Sequence, residues 1–176
     1  GVTTMMMDSG IDTGDILLKE QTEIREYETS EQLFGRLAKM GGELLVKTIE
    51  SLPNLKPQKQ DDSICSYAPM ISKEMAKIDF SKSAQEVIHH ICGMNSWPMA
   101  YAFYNGETVK IISAAICDDK ETMPGEIIGL FKGKGLKVSC GEKCIFVKEV
   151  QFPGKKRMNI EDYLRGNSMD SDKFFA

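Results

Sequence analysis

The amino-terminal stretch of the chain alternates between short apolar runs and one polar loop. An apolar and β-branched run over residues 2–7 predicts a β-strand, and residues 16–18 predict a second, shorter strand. Between them, residues 8–15 carry only polar residues, glycines and a single isoleucine, which is typical of a loop. The first strand ends in three methionines, Met5 to Met7, which we expect to pack in the core of a buried sheet.

One amphipathic helix should follow these strands. Thr29 and Gln32 have the spacing of a capping box, in which both side chains satisfy main-chain amides at the start of a helix. Apolar residues then recur every three or four positions as far as Leu52, which is the period of an α-helix. Pro53 and Pro57 end this pattern, because proline lacks the amide that would continue the helix.

The second half of the chain has a different pattern, in which one helix is followed by several strands. Ser83 and Glu86 form another capping box and predict a helix that ends near Gly93. Asn105 and Gly106 favour a tight hairpin turn, because both residues tolerate positive φ. Five strands are predicted around and after this turn, over residues 99–104, 108–116, 126–130, 136–140 and 144–151. Five strands with one entry helix predict a small closed or nearly closed barrel of the OB type.

These patterns predict two domains. Residues 1–57 form the first, residues 58–66 form a polar linker, and residues 67–176 form the second, with Asn159 capping a last short helix. A strand that begins at the first residue lacks earlier neighbours in this chain. We therefore interpret residues 1–57 as the carboxy-terminal part of a longer domain.

Composition excludes some classes of protein. A hydrophobic content of 41% and a charged content of 27% are ordinary for a soluble globular protein, and no apolar run reaches the roughly 18 residues of a membrane span. The five cysteines are odd in number and lack the paired spacing of a zinc site. We therefore expect reduced thiols, no metal, and a cytoplasmic protein. The formal net charge is −4, with the acidic excess in the first half.

Three aspartates in the polar loop are the first candidates for chemistry. Asp8, Asp12 and Asp15 lie within eight residues, separated by Gly10 and Gly14, and like charges this close repel one another. Glycine lets the main chain bend sharply, so the loop could bring a carboxylate to a binding site. The same composition is also typical of a solvated turn, and the spacing alone does not decide between the two.

Two segments in register resemble the methionyl-tRNA formyltransferase family. Residues 1–17, GVTTMMMDSGIDTGDIL, are similar to its G-V-T-x-M-x-M-D-x-G-x-D-T-G-D segment. Residues 71–111, from ISKEMAKIDF through NSWPMAYAFYNGETVKI, are similar to the entry of its second domain, with its N-x-W-P motif. The DTGD segment alone would also fit related formyltransferases that act on glycinamide ribonucleotide or on sugars.

The resemblance implies a fold, a reaction and partners. The fold class would be α/β plus β: the terminal piece of a Rossmann-like formyltransferase domain followed by a small OB-type β-barrel. The reaction would transfer a formyl group from 10-formyltetrahydrofolate to the methionyl amino group of initiator tRNA. Asp12 would be the catalytic aspartate and the main chain at Asp8, Ser9, Gly10 and Ile11 would contact the folate. We also expect a monomeric protein with no membrane partner.

The same resemblance predicts that the chain by itself is inactive. The family's catalytic asparagine and histidine lie in an N-x-H segment upstream, which this chain does not contain. Its only histidines, His89 and His90, fall in the predicted helix of the second domain, where we expect no catalytic role. Three interpretations follow: part of a methionyl-tRNA formyltransferase, part of a folate-dependent formyltransferase acting on an amino sugar or another amine, or a non-catalytic RNA-binding module.

Basic residues of the second domain are candidates for contact with tRNA phosphates. They form a group around a predicted turn and a triplet near the end of the last long strand: Lys132, Lys134 and Lys137, and Lys155, Lys156 and Arg157. Such groups neutralise phosphates without reading bases, although a charged turn is more often only solvated surface. Trp97, before Pro98, should pack at the junction of helix and strand, and stacking on RNA is the alternative.

Overall fold

The computed structural model of the chain describes residues 1–119, 122–169 and 175. It divides into two compact units, Gly1–Met70 and Ile71–Ala176, and each is described by itself. Within the described residues, no helix is both long enough and apolar enough to cross a membrane.

The first unit is a β-hairpin that packs against one long helix. Strand β1 (Val2–Met5) pairs antiparallel with β2 (Ile16–Glu20), and helix α1 (Ser30–Ser51) follows. The hydroxyl of Thr29 accepts a hydrogen bond from the amide of Gln32, and the Gln32 side chain accepts one from the amide of Thr29. This confirms the predicted capping box and the start of the helix.

A small polar network connects the three elements of this unit. The Thr48 hydroxyl, buried in α1, lies 2.9 Å from the hydroxyl of Thr4 in β1 and donates to the carbonyl of Leu44 at 2.7 Å. Thr4 in turn accepts a hydrogen bond from the amide of Leu18 in β2. The prediction that Met5 to Met7 form core is wrong for Met6 and Met7, which are 48% and 90% exposed because β1 ends before them.

The second unit consists of helix α2 and a six-stranded antiparallel sheet. Helix α2 (Ala84–Gly93) starts at a capping box between Ser83 and Glu86, as predicted. The strands are β3 (Tyr101–Tyr104), β4 (Glu107–Cys117), β5 (Ile127–Phe131), β6 (Gly135–Ser139), β7 (Cys144–Gln151) and β8 (Met158–Asn159). Helix α3 (Ile160–Leu164) is capped by Asn159.

Strand pairing in the second unit does not close a barrel. The order is β3-β4-β7-β6-β5, and β8 lies off this path, where it pairs with the end of β7. In the described part of the chain, β3 and β5 end this path without pairing to each other. The sheet-rich prediction is thus confirmed, whereas a closed barrel is not found. The two-residue strand β8 was not predicted, because so short a run has no periodicity.

The core of the second unit lies between α2 and the inner face of the sheet. Its largest fully buried side chains are Ile88, Ile91, Ile111, Ile127, Leu136, Ile145 and Ile160, with several valines. Burial of this apolar surface is the main term that stabilises the unit. Trp97 is not part of this core: its side chain is 59% exposed, so the prediction that it packs at the junction is wrong.

Candidate functional site

The loop between β1 and β2 is closed by main-chain hydrogen bonds. The amide of Met6 donates to the carbonyl of Asp15 at 2.9 Å, one step beyond the paired strands. Asp15 thus contributes through its main chain. A β-carbon on Gly14 would lie 1.6 Å from the carbonyl oxygen of Met6, so only glycine fits this close approach of the two strands.

Asp8 holds the front of the loop through its carboxylate. Its Oδ1 accepts hydrogen bonds from the Thr13 hydroxyl at 2.7 Å and from the Gly10 amide at 3.0 Å. These two donors lower the pKa of Asp8, because they stabilise its charged form, the Thr13 hydroxyl most of all. Asp8 is therefore ionised at neutral pH and supports the loop from within.

Asp12 lies at the tip of the loop in an uncommon conformation. Its φ is 56°, the left-handed region that residues other than glycine seldom adopt. Its side chain is exposed, as are those of Ser9 and Ile11, the latter 92% exposed. Asp12 thus presents an exposed carboxylate beside an exposed stretch of main chain.

Gln60 holds the main chain of this loop in place, a role that no pattern in the sequence indicates. Its side-chain amide donates to the carbonyl of Asp12 at 2.8 Å and to the carbonyl of Gly14 at 2.7 Å. Gln58, two residues earlier, pairs its main chain with Ile16 in both directions at 2.8 Å. Residues that were predicted to be linker therefore contact the loop, and Gln60 orients the main chain at Asp12.

The lysines around the predicted turn have different surroundings. Lys132 and Lys134 lie exposed near the turn between β5 and β6, and the Lys134 ammonium is 5.8 Å from the centre of the Phe146 ring. Lys137 is only 7% exposed, and its ammonium forms an ion pair with Asp119 at 2.7 Å. This hydrogen bond raises the pKa of Lys137. Lys137 was expected on an accessible turn, but it lies in β6, a strand buried on both faces.

The basic triplet follows β7 and is exposed. Arg157 forms an ion pair with Glu149 of β7, and the Lys155 ammonium lies 4.9 Å from the centre of the Tyr163 ring. Lys156 makes no ion pair within the residues that the structure describes. The triplet therefore leaves at least one ammonium group available to an external anion.

No metal centre is found in the described part of the chain, where no three potential ligands come close enough together to hold an ion. All five cysteines are free thiols. The two histidines lie in α2 of the second unit, as predicted.

Comparison with known families accounts for both units. The sequence profile described as "Formyl transferase, C-terminal domain" matches residues 70–168, and the one described as "Formyl transferase" matches residues 1–49. The chain belongs to the formyl transferase family. The match to residues 1–49 covers the polar loop and most of α1, and the match to residues 70–168 covers the antiparallel sheet.

Among curated relatives, the methionyl-tRNA formyltransferase of Clostridium tetani is 44% identical over 173 residues, which cover 97% of this formyl transferase chain and 56% of the relative. The chain thus spans about half the length of the curated relatives it matches. It is also similar to the solved methionyl-tRNA formyltransferase from Clostridium thermocellum, with 25% identity, a TM-score of 0.53, and coverage of 67% of this chain and 51% of that one.

A third similarity supports the fold alone. The N-formyltransferase from Helicobacter canadensis, solved in complex with folinic acid and dTDP-3-aminofucose, has 24% identity and a TM-score of 0.63. The match covers 82% of this chain and 54% of that one.

Proposed function

We propose that this chain is part of an enzyme that transfers a formyl group from 10-formyltetrahydrofolate to the amino group of methionine on initiator tRNA. The observation that carries the proposal is the 44% identity, over nearly the whole chain, to a relative named for that activity. The protein would act in the cytoplasm as a monomer, with an OB-type second domain. Residues 1–57 would belong to the catalytic domain, residues 58–66 to the linker, and residues 67–176 to the tRNA-binding domain.

The polar loop suits the folate part of this reaction. A formyl folate carries the group that is transferred, and its flat heterocycle needs accessible main-chain donors and acceptors. Within the described residues, the main-chain groups of Ser9 and Ile11 make no internal hydrogen bond. Asp8 and Gly10 hold that stretch in one conformation through their own hydrogen bond. We assign residues 8–11 to this contact.

Asp12 is the residue of this chain that would take part in the chemistry. When an amine attacks a formyl carbon, negative charge develops on the formyl oxygen and positive charge on the amine, whose proton must then move. An exposed carboxylate can orient an imidazole and stabilise its charged form. Asp12 has that exposure, and the two hydrogen bonds of Gln60 hold the main chain beneath it.

Catalytic residues that act together are strongly non-additive, so removing some of them removes most of the effect of the rest. Asp12 without the asparagine and histidine of an N-x-H segment should therefore give little catalysis. We therefore propose that the 176-residue chain alone does not formylate at a rate near that of a full-length relative. For the 176-residue chain by itself, the alternative is a non-catalytic RNA-binding module. For the whole enzyme, the alternative is formyl transfer to an amino sugar instead of methionyl-tRNA. The Helicobacter canadensis neighbour motivates the second of these.

The exposed basic residues of the second unit would bind tRNA phosphates. Lys132 and Lys134 and the triplet that ends in Arg157 are accessible, whereas Lys137 would first have to leave Asp119. Contacts of this kind hold the backbone without reading the bases, and their contribution falls with rising salt.

Replacing Lys155, Lys156 and Arg157 together by alanine tests this assignment on the chain as it is. The triple variant should bind initiator tRNA more weakly, and each lost phosphate contact should flatten the log–log salt dependence by about 0.7–0.9. Lys39→Ala, an exposed cation of α1 in the first unit, serves as the control and should leave both quantities unchanged. If the folded triple variant binds tRNA with the affinity and the salt slope of the wild type, the triplet is only solvated surface.

A further inference from the structure

The outer face of the sheet at β3 and β4 carries aromatic and basic side chains side by side. Along β3, Ala102 and Tyr104 point into the core, whereas Tyr101 and Phe103 are only half-buried and point outward. Directly across the ladder from Tyr101 lies Lys110 of β4, also half-buried. Together with Lys77, these residues (Tyr101, Phe103 and Lys110) are called the aromatic platform.

Lys77 borders this face on the other side. It forms a parallel bridge to Tyr101, supported by the hydrogen bond from the amide of Ile78 to the carbonyl of Tyr101 at 2.8 Å. Its ammonium lies 5.5 Å from the centre of the Phe103 ring. Phe103 therefore has an ammonium group beside it, Tyr101 has a lysine as its cross-strand partner, and both aromatic residues lie on a strand rather than on a loop.

The two rings are fixed relative to each other. Their centroids are 5.6 Å apart and their planes meet at 83°, an edge-to-face arrangement that aromatic pairs favour. Because the planes are nearly perpendicular, one flat group cannot stack on both rings at once. The platform offers two separate π-faces, which suits two flat groups that follow one another along a flexible chain.

The platform continues toward the basic triplet. Lys110 pairs across the sheet with Gln151 of β7, whose side-chain amide donates to the main-chain carbonyl of Lys155 at 3.1 Å. Glu149, the acidic residue two positions before Gln151, is already paired with Arg157. The surface therefore runs from an aromatic end to a basic end across one sheet face.

We propose that the aromatic platform binds unpaired nucleotides of an RNA strand. Successive bases stack on Tyr101 and Phe103, and Lys77 and Lys110 contact the phosphates between them. Base–aromatic stacking combined with a basic track is the general chemistry of single-strand binding, and it excludes duplexes, whose bases are already stacked within the helix. The proposal rests on the proposed function only for the identity of the RNA, which would then be an unpaired segment of the tRNA substrate.

The test uses the 176-residue chain and two labelled RNA probes, followed by fluorescence anisotropy. One probe is a single strand of about a dozen nucleotides without self-complementarity, and the other is the duplex formed by that strand and its complement. The variant Tyr101→Thr/Phe103→Val keeps β-branched residues in the strand but removes both rings. It should bind the single strand at least about thirtyfold more weakly, with duplex affinity and salt slope unchanged.

Matched variants separate stacking from packing. Tyr101→Phe keeps the ring and should bind the single strand as wild type does, whereas Tyr101→Leu and Phe103→Leu keep apolar cover without a π-face and should each lose affinity. Lys110→Gln should flatten the single-strand salt slope by about 0.7. If circular dichroism shows that the double variant does not fold, the two leucine variants replace it in the test.

The proposal would be overturned by folded ring-deleted variants that bind the single strand as tightly as wild type, or by an equal loss for strand and duplex. The outcome is distinct from that of the proposed function. If initiator tRNA binding depends on the triplet but not on Tyr101, the platform proposal is contradicted and the proposed function is not. Ring-dependent binding of the single strand without tRNA binding would uphold the platform and count against the proposed substrate.

Discussion

Replacing Gln60 by alanine should loosen the polar loop without disturbing the rest of the first unit. The Gln60 side chain donates two hydrogen bonds to loop carbonyls, at 2.8 Å to Asp12 and 2.7 Å to Gly14. No other side chain in the described residues contacts these two carbonyls by a hydrogen bond. The loop should therefore open more often once the donor is removed.

The size of the effect follows from those two bonds. A neutral hydrogen bond contributes about 0.5–1.5 kcal/mol net, so two contribute roughly 1–3 kcal/mol. Gln60 is half-buried, and water can replace part of what is lost, so the lower part of this range, about 1–2 kcal/mol, is expected. This corresponds to local opening that is roughly five to thirty times more frequent.

Hydrogen exchange at the Met6 amide measures this opening directly, because that amide donates to Asp15 and closes the loop. Exchange of Met6 should accelerate by the same factor in Gln60→Ala. Gln58→Ala is the control, since the exposed Gln58 side chain is removed while its main-chain pairing with Ile16 remains. Equal Met6 exchange in both variants and wild type would refute the role assigned to Gln60.

Two further predictions concern pH and thiol reactivity. Hydrogen bonds from Arg36 lower the pKa of Glu28 to about 2, so the stability from this pair should be complete above about pH 4.5 and decline as pH falls toward 2. Urea unfolding across this range should show that decline, and Arg36→Met should flatten it. Among the thiols, exposed Cys65 should react with a disulfide reagent in the native state. Burial raises the pKa of Cys140 to about 12, so Cys140 should react only after unfolding, and equal native rates would contradict its burial.

Local signals allowed much of the fold to be predicted. Both capping boxes set the starts of α1 and α2 correctly, because a cap is a contact between residues three apart. The five long strands were found from their apolar patterns and turn residues. Barrel closure was not predictable in the same way, since it depends on which distant strands pair, and no pairing of β3 with β5 is found.

The candidate site was predictable only in its local part. The glycine-spaced aspartates indicated a tight loop, but Gln60 lies 48 residues after Asp12 in a polar run without periodicity, so nothing in the sequence connects the two. Lys137 looked like a turn residue because lysines flank it, yet its strand is buried on both faces. Trp97 was expected to pack at the junction of helix and strand, but hydrophobicity does not say which way a loop side chain points.

The most direct test of the proposed function is a formylation assay on a chimera. The chimera joins the part of the Clostridium tetani relative that this chain does not cover to the chain itself, so that both parts of the catalytic domain are present. With 10-formyltetrahydrofolate, it should formylate initiator methionyl-tRNA and not a dTDP-linked amino sugar, and Asp12→Asn should lower kcat by about a hundredfold or more. Formylation of the amino sugar alone, or full activity in Asp12→Asn, would contradict the account.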